Sequence, residues 1–243
     1  MNRARLVTAD GADVPAVTTD AMREIDRIAM DETGPNLFQM MENAGLNLAL
    51  QAIEALGPGW RQRAILVLAG GGGNGGGGIC AARHLASRGA RVTLALGAPL
   101  AAGSVPAYQH HIYASTPGRE IVANAVHDER PDLIIDALIG YGLRHAPTGV
   151  TAELITWAVT CDAPTLSLDV PSGVDATTGE APGVAIRPRW TLTLALPKTG
   201  LRPDNAGQPW LADLGIPPAT IERAGIVWVS PFGGHSRIAL TWA

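Results

Sequence analysis

The chain has few cysteines, few charged residues and no basic cluster, and each shortage excludes a class of protein. Among its 243 residues, Cys80 and Cys161 are the only cysteines and form no CxxC pair, so neither a disulfide framework nor a zinc site is expected. Charged residues make up 16% of the chain, below the roughly 25% of ordinary soluble proteins. Because the net charge is −4 and no cluster of lysine and arginine occurs, nucleic acid is not expected as the main partner.

Long apolar runs are also missing. No stretch approaches the roughly 18 consecutive apolar residues that indicate a membrane span, and the chain begins with the polar stretch MNRAR. We therefore expect no membrane partner, no signal sequence and a cytoplasmic location. Hydrophobic residues nevertheless make up 47% of the chain, which favours a large core and a surface partly covered by a subunit interface.

Glycine is abundant, and residues 70–78 read GGGGNGGGG. This glycine run lies between an apolar strand predicted over 64–68 and a helix predicted over 79–88. Glycine loses much conformational entropy on folding, so eight glycines in nine residues indicate that exposed backbone is needed there. Backbone N–H groups at a helix N-terminus bind anions, so the run predicts a phosphate-bearing ligand. The alternative is a flexible linker without function, which the position after a parallel strand disfavours.

Two familiar nucleotide-binding motifs do not fit the glycine run. A P-loop ends in Gly-Lys-Ser/Thr, whereas Ile79 and Cys80 follow this run. A dinucleotide-binding Rossmann unit has an acidic residue about 20 positions further on, but the next predicted strand, 91–96, leads into GAP without an acid. Phosphoryl transfer and hydride transfer are therefore disfavoured.

Predicted strands and helices alternate along the chain. Thr19 or Asp20 is expected to cap a first helix, and a second helix is expected from Asn36 to Gly57. Further strands are expected over 133–138, 163–170, 190–196, 210–214 and 226–229, and further helices over 108–114, 121–127 and 152–159. This order predicts a single α/β domain over 1–243, a doubly wound three-layer sandwich with a mostly parallel, Rossmann-like sheet. Residues 1–18 are expected to form a loose N-terminal arm, and residues 218–243 a C-terminal extension.

Polar side chains stand where predicted strands end. Asn74, Asp136 and Asp169 are three such residues, and Asp169 is followed by Pro-Ser-Gly, which contains Ser172. The carboxyl ends of parallel strands meet at one edge of a sheet, and a carboxylate there needs a partner or a cation. Each acid taken singly fits a turn or helix cap equally well, but together this oxygen-rich set suits a hard cation better than zinc. Lys198 follows a further strand and either reaches the same edge or is an ordinary solvated lysine.

Several segments carry a resemblance to a known family. They are MENAG at 41–45, the glycine run with AARHL at 81–85, DALIGYGL at 136–143, DVPSGVD at 169–175, LPK at 196–198 and ADLGIP at 212–217. In this order they resemble the motifs of the YjeF N-terminal domain family, whose enzymes are NAD(P)H-hydrate epimerases. The resemblance implies a metabolite-repair enzyme that interconverts the R and S forms of hydrated NADH or NADPH, so that the dinucleotide is its substrate.

The resemblance also implies roles for individual residues. Asn74, Asp136 and Ser172 would hold a potassium ion, Asp169 would act as acid or base, and Lys198 would be a weaker electrostatic helper. Substrate contacts are implied for Gly73, Asn74, Gly75, Gly76, Gly77, Gly140, Tyr141, Gly142, Leu143, Arg144, His145, Ala146 and Asp169. The family's dehydratase domain is absent, so a separate NAD(P)H-hydrate dehydratase would complete the repair, and a homodimer is expected.

The chain departs from the family motif at two positions of the glycine run. Gly73 replaces the first of two asparagines, and Gly77 replaces an aspartate that contacts the substrate in the family. The alternative function is therefore a catalytically degenerate member that binds a nucleotide ligand or acts as a scaffold. If the site is otherwise intact, Gly77→Asp is expected to restore or raise activity.

Overall fold

The structure, a computed structural model, describes residues 5–243 and arranges their strands in two sheets. The strands are β1 (Leu6–Val7), β2 (Asp13–Val14), β3 (Ala64–Ala69), β4 (Arg91–Leu96), β5 (Arg119–Ile121), β6 (Leu133–Ala137), β7 (Thr165–Leu168), β8 (Trp190–Leu194), β9 (Gln208–Ala212), β10 (Arg237–Ala239) and β11 (Thr241–Trp242). The α-helices are α1 (Thr19–Ile28), α2 (Leu37–Leu56), α3 (Gly73–Ser87), α4 (Val105–Tyr113), α5 (Gly149–Thr160) and α6 (Pro218–Arg223).

The large sheet has eight strands in the order β10-β9-β8-β7-β6-β3-β4-β5. Every neighbouring pair is parallel except β10 and β9, which are antiparallel. The chain moves from β3 outward to β4 and β5 and then returns to β6 on the other side of β3. This reversal creates the topological switch point at which ligands bind in open α/β sheets. The predicted doubly wound, mostly parallel sheet is confirmed.

Each face of the large sheet is covered by helices, because successive side chains of a strand point to opposite faces. Along β3, Ile65 and Val67 pack into a core with residues of α2 and α3. Leu66 and Leu68 point the other way and pack with residues of α5. These two cores on opposite faces of one sheet give the predicted three layers.

The first two helices begin at side-chain caps. The hydroxyl of Thr18 accepts a hydrogen bond from the backbone N–H of Ala21, so the cap lies one residue before the predicted candidates Thr19 and Asp20. At the start of α2, Asn36 and Gln39 form a reciprocal capping box, which satisfies two backbone N–H groups that the helix itself leaves free. This start at Asn36 is as predicted.

The chain termini are more ordered than the sequence patterns suggest. Residues 1–4 lie outside the described part of the chain, but β1 pairs with both β2 and β11 in a small antiparallel sheet. The prediction of a loose arm is therefore wrong for this segment. In the C-terminal extension, β10 joins the large sheet, whereas 226–229 forms no strand and leaves Val227 and Val229 exposed. The helix predicted over 121–127 is a 3₁₀ turn, Ala123–Asp128, preceded by the short edge strand β5.

The glycine run is the largest difference from the predicted elements. Helix α3 begins at Gly73, not at residue 79, so most of the glycines belong to its first two turns. Glycine is unfavourable in a helix by about 1 kcal/mol relative to alanine, but close packing overrides this preference. A Cβ at Gly75 would overlap the carbonyl oxygen of Gly70, and a Cβ at Gly78 would overlap the Cβ of Ala137.

Within residues 5–243, no helix combines the length and apolar character that crossing a membrane requires.

Candidate active site

The carboxyl ends of four adjacent strands form the candidate site. The glycine run follows β3, Asp136 lies near the end of β6, Asp169 directly follows β7, and Lys198 lies four residues after β8. Because β3, β6, β7 and β8 are neighbours in the sheet, these residues meet at one edge, as their positions after parallel strands predict. The side chains of Asp136, Asp169, Ser172 and Lys198 are all buried.

Asp136 is fully buried within a network of hydrogen bonds. Its Oδ2 accepts from the hydroxyl of Ser167 at 2.7 Å and from the backbone N–H of Ser172 at 2.9 Å. Its Oδ1 accepts from the Ser172 hydroxyl and from the N–H of Leu138 at 3.3 Å. Burial raises the pKa of Asp136, and the hydrogen bonds from Ser172, Ser167 and Leu138 oppose that rise. The sequence patterns do not single out Ser167, although it is the register partner of Asp136 in the neighbouring strand.

The oxygen atoms around Asp136 fit a hard cation. The single hydroxyl proton of Ser172 has two competing acceptors, Oδ1 of Asp136 and the carbonyl oxygen of Ile139 at 3.1 Å. When that proton points to Ile139, lone pairs of Ser172 and Asp136 face each other, and a cation can neutralise this arrangement. In the described residues, Nδ2 of Asn74 is buried without a hydrogen-bond partner, and Oδ1, which lies beside Gly140, is the atom of this amide that a hard cation would bind.

Asp169 and Lys198 form a buried ion pair. The ammonium of Lys198 donates to Oδ1 of Asp169 and to the carbonyl oxygen of Leu194, the latter at 2.9 Å. The N–H of Leu194 and the hydroxyl of Thr193 also donate to Oδ1, at 3.2 and 3.5 Å. Within the described residues all of these bonds end on Oδ1, so Oδ2 is the carboxylate oxygen left for a ligand. The interpretation of Lys198 as an ordinary solvated lysine is wrong.

The segment that follows β6 contacts both Asn74 and Lys198 of the buried ion pair. A Cβ at Gly140 would lie 3.0 Å from Oδ1 of Asn74, so this glycine lies against the Asn74 side chain. The ring of Tyr141 lies over Lys198, with Nζ 5.8 Å from the ring centroid. The rest of the predicted substrate segment runs toward the surface: Gly142, Arg144 and His145 are exposed, and Leu143 and Ala146 are half-buried. Their contacts with substrate stay predictions.

The glycine run offers backbone to a ligand over a shorter stretch than predicted. Gly73 is exposed and Asn74 is half-buried at the start of α3, where Gly72 provides no side-chain cap and the first N–H groups remain available to an anion. Gly75, Gly76 and Gly77 are buried, so the prediction of an exposed loop is wrong for them. They pack against the carbonyl of Gly70, Pro106 and Leu168, and their contacts with substrate stay predictions.

A second polar cluster lies between α2 and α3. Glu42, Cys80 and His84 place potential metal-ligand atoms within 4.8 Å of one another. However, Nη2 of Arg83 donates to Glu42, with a distance of 2.6 Å to Oε1, and lies 3.2 Å from Sγ of Cys80 and 3.3 Å from Nε2 of His84. A guanidinium therefore stands among the three groups and supplies the positive charge that a metal would bring. Burial also raises the pKa of Cys80 to about 12, which disfavours the thiolate needed for metal binding.

Comparison with known proteins gives three relevant similarities. A profile of the family described as YjeF-related protein N-terminus matches residues 37–200. An NAD(P)H-hydrate epimerase of Dehalogenimonas lykanthroporepellens is 49% identical over 238 residues, which cover 98% of this chain and 97% of that protein. A bifunctional NAD(P)H-hydrate repair enzyme of Salinibacter ruber is 37% identical over 86% of this chain and 42% of its own length, so the chain spans less than half of that relative.

The fold has a counterpart among solved structures. The crystal structure of the yeast protein ynu0 superposes with a TM-score of 0.82, covering 93% of this chain and 100% of the yeast chain. The two sequences are 20% identical, so this similarity supports the fold and not a shared activity.

Proposed function

The chain belongs to the family of YjeF-related protein N-termini, and from this membership we propose that it is an NAD(P)H-hydrate epimerase. It interconverts the R and S forms of hydrated NADH or NADPH, the activity named for its relative at 49% identity over nearly the whole of both chains. The observation that supports chemistry rather than binding alone is the Asp169–Lys198 pair, which is buried at the carboxyl edge of the sheet, beyond β7 and β8, with one carboxylate oxygen uncommitted.

Asp169 is the proposed acid and base. Inversion of the carbon that bears the hydroxyl requires a proton to leave and return as that centre opens and re-forms. Oδ2 of Asp169 accepts the proton of the substrate hydroxyl while the C–O bond becomes C=O and the adjacent ring C–N bond breaks, with its electron pair kept on the ring nitrogen. When the C–N bond re-forms from the other face, the proton returns to the oxygen, so the enzyme ends each turnover unchanged. Lys198, bonded to Oδ1, holds the carboxylate in one orientation.

The other site residues bind and orient the dinucleotide in this proposal. The free N–H groups at the start of α3 bind a phosphate group, and the segment Gly140 to Ala146 contacts the remainder of the substrate. Asn74, Asp136 and Ser172 hold a potassium ion, and their oxygen atoms are of the type that such a cation prefers. When bound, that ion supplies positive charge for substrate oxygen atoms.

The epimerase reaction serves a second enzyme in this proposal. The bifunctional relative joins two repair functions in one protein, whereas the segment similar to this chain is less than half of it. An NAD(P)H-hydrate dehydratase would consume the epimer that this chain supplies. The homodimer and the cytoplasmic location stay predictions.

One assay tests the proposal against its alternative. Purified protein is incubated with separated R and S hydrates of NADH and of NADPH, with and without potassium, and the epimers are resolved by chromatography. We expect interconversion above the spontaneous rate and a higher rate with potassium. Folded protein that binds a hydrate without interconverting it would instead favour the catalytically degenerate binding module.

A further inference from the structure

An acidic residue on α1 contacts the segment that covers the catalytic pair. The hydroxyl of Tyr141 donates a hydrogen bond to Oδ2 of Asp26. Asp26 is half-buried, and α1 packs into the core through Met22, Ile25 and Ile28. The family profile begins at residue 37, so Asp26 lies outside the matched segment, and the motif DALxGxGL leaves the residue at position 141 unspecified.

The hydrogen bond determines where the Tyr141 ring lies. Tyr141 follows β6 in a short irregular segment that has no helix or strand of its own. Without a fixed partner, its side chain would have several rotamers available to it. With its hydroxyl bound to Asp26, the ring lies over Nζ of Lys198 at 5.8 Å, and Lys198 in turn bonds Asp169. A continuous series of contacts therefore joins α1 to the catalytic carboxylate.

The electrostatics of the four groups agree with this arrangement. Burial raises the pKa of Asp26, whereas the hydrogen bond from Tyr141 and the charge of Lys198 oppose the rise, and Asp169 adds to it. Burial, followed by the neighbouring Asp26, raises the pKa of Tyr141 well above its usual range. The tyrosine therefore stays neutral and keeps its proton toward Asp26, which rules out a phenolate as the base.

We infer that Asp26 is a positioning residue: it fixes Tyr141 over the Lys198–Asp169 pair and thereby holds that pair in its reactive geometry. The inference rests on the proposed epimerase function and adds to it a residue from outside the predicted site. Asp26 acts through Tyr141, so removing either partner disturbs the same geometry. Because the orientation of reacting groups is at stake, the effect falls on kcat more than on KM.

A double-mutant cycle measures this coupling. Asp26→Ala and Tyr141→Phe are each expected to lower kcat about tenfold and to change KM less than about threefold. The double variant is expected to fall about as far as either single variant, whereas independent roles would multiply to about 100-fold. Asp26→Asn keeps an acceptor oxygen and is expected to retain kcat within about threefold of the wild type. Asp20→Ala on the same helix and Tyr108→Phe, both at exposed positions, are the matched controls.

A second measurement does not depend on activity. The chain has three tyrosines, so carbon-13 labelling of the ring gives three resonances, and Tyr141→Phe identifies the one that belongs to Tyr141. In the wild type this resonance should titrate at higher pH than free tyrosine, and in Asp26→Ala its titration should move to lower pH.

The outcomes separate the inference from the proposed function. An active wild type with unchanged kcat in Asp26→Ala, or with fully multiplicative losses in the double variant, overturns the positioning role and leaves the epimerase function standing. A wild type that does not interconvert the hydrates overturns the epimerase function and the catalytic role of Asp26 with it. In that case the tyrosine titration still decides whether Asp26 holds Tyr141.

Discussion

Lys198 and Asp169 form an ion pair whose side chains are only 1% and 4% exposed. Lys198 is also the only lysine of the chain, since its other basic residues are arginines and histidines. The backbone around the pair is strained, because Asp169 and Ala195 have positive φ angles of 67° and 59° without being glycine. Such conformations cost about 1–3 kcal/mol each and are concentrated at functional sites. The surrounding structure therefore holds the pair in place, and the backbone strain offsets part of the stability that the ion pair contributes.

Removing the lysine should destabilise the fold. In Lys198→Met, Asp169 remains buried without its counter-ion, and the loss of one partner of a buried pair typically costs about 3–5 kcal/mol. Urea unfolding followed by circular dichroism measures the change, with Arg202→Met as the control because Arg202 is exposed and lies in the same part of the chain. A variant as stable as the wild type would show that the pair is not buried as described.

Replacing the carboxylate should remove activity and leave a protein that is folded but less stable, because Lys198 loses its counter-ion. Asp169→Asn keeps the size of the side chain, and asparagine tolerates a positive φ better than most residues. The amide cannot take up a proton, so kcat is expected to fall by about 10²–10⁴-fold. Epimerisation of the purified hydrates measures the rate, and circular dichroism confirms folding. Asp162→Asn, at an exposed position, should keep full activity, and full activity in Asp169→Asn would contradict the assignment of acid and base.

The second polar cluster, which contains Glu42, Cys80 and His84 between α2 and α3, should make the stability of the fold depend on pH. Burial lowers the pKa of His84, the charges of Arg83 and Arg88 lower it further, and Glu42 opposes them. The histidine is therefore more basic in the unfolded chain, whose proton uptake below about pH 6.5 favours unfolding. Stability should fall as pH decreases from 7 to 5, and His84→Gln should reduce that fall. Thermal unfolding at several pH values measures it, with the exposed His111→Gln as control. An unchanged pH dependence in His84→Gln would contradict the sign of this shift.

The sequence predicts the central strands and the position of the site for one physical reason. A polar residue after an apolar run, such as Asp136 or Asp169, marks the end of a buried strand. In a parallel sheet these strand ends lie at one edge, so the sequence predicts that the polar residues meet there. The hydrogen bond from Ser167 to Asp136 depends on the register of two neighbouring strands, and a local sequence pattern does not reveal that register. The role of Asp26 depends likewise on a contact with Tyr141, 115 residues further along the chain.

The predictions fail where long-range pairing outweighs local preference. The apolar stretch 226–229 has the composition of a strand, but Arg237–Ala239 pairs with β9 instead, and Thr241–Trp242 pairs with β1 at the other end of the chain. In the glycine run, helix propensity predicts a loop, whereas contacts of Gly75 and Gly78 with the chain around them require helix backbone without side chains. Both failures are cases in which tertiary packing overrides an intrinsic preference.

The two substitutions that would return the family's side chains to the glycine run should differ in their effect on stability. A Cβ at Gly73 meets no atom within 4 Å, so Gly73→Asn should be tolerated with little change in stability. A Cβ at Gly77 would lie 2.8 Å from Cδ2 of Leu168 and 3.7 Å from Cβ of Ala44. Gly77→Asp would therefore bury a carboxylate among apolar groups and should destabilise the protein by about 2–4 kcal/mol. The structure thus argues against a simple gain of activity from Gly77→Asp.

A companion variant separates crowding from charge at position 77. Leu168→Ala removes the side chain that a Cβ at 77 would meet, and by itself it should cost about 2–5 kcal/mol as a cavity in the core. If crowding contributes, Gly77→Asp combined with Leu168→Ala should be less unstable than the sum of the two single changes, because neighbouring sites couple. Urea unfolding of the four proteins measures the coupling, and the hydrate assay run in parallel measures activity. Higher activity in the stable, folded Gly77→Asp protein would contradict the prediction, since it would mean that the carboxylate reaches the substrate without displacing Leu168.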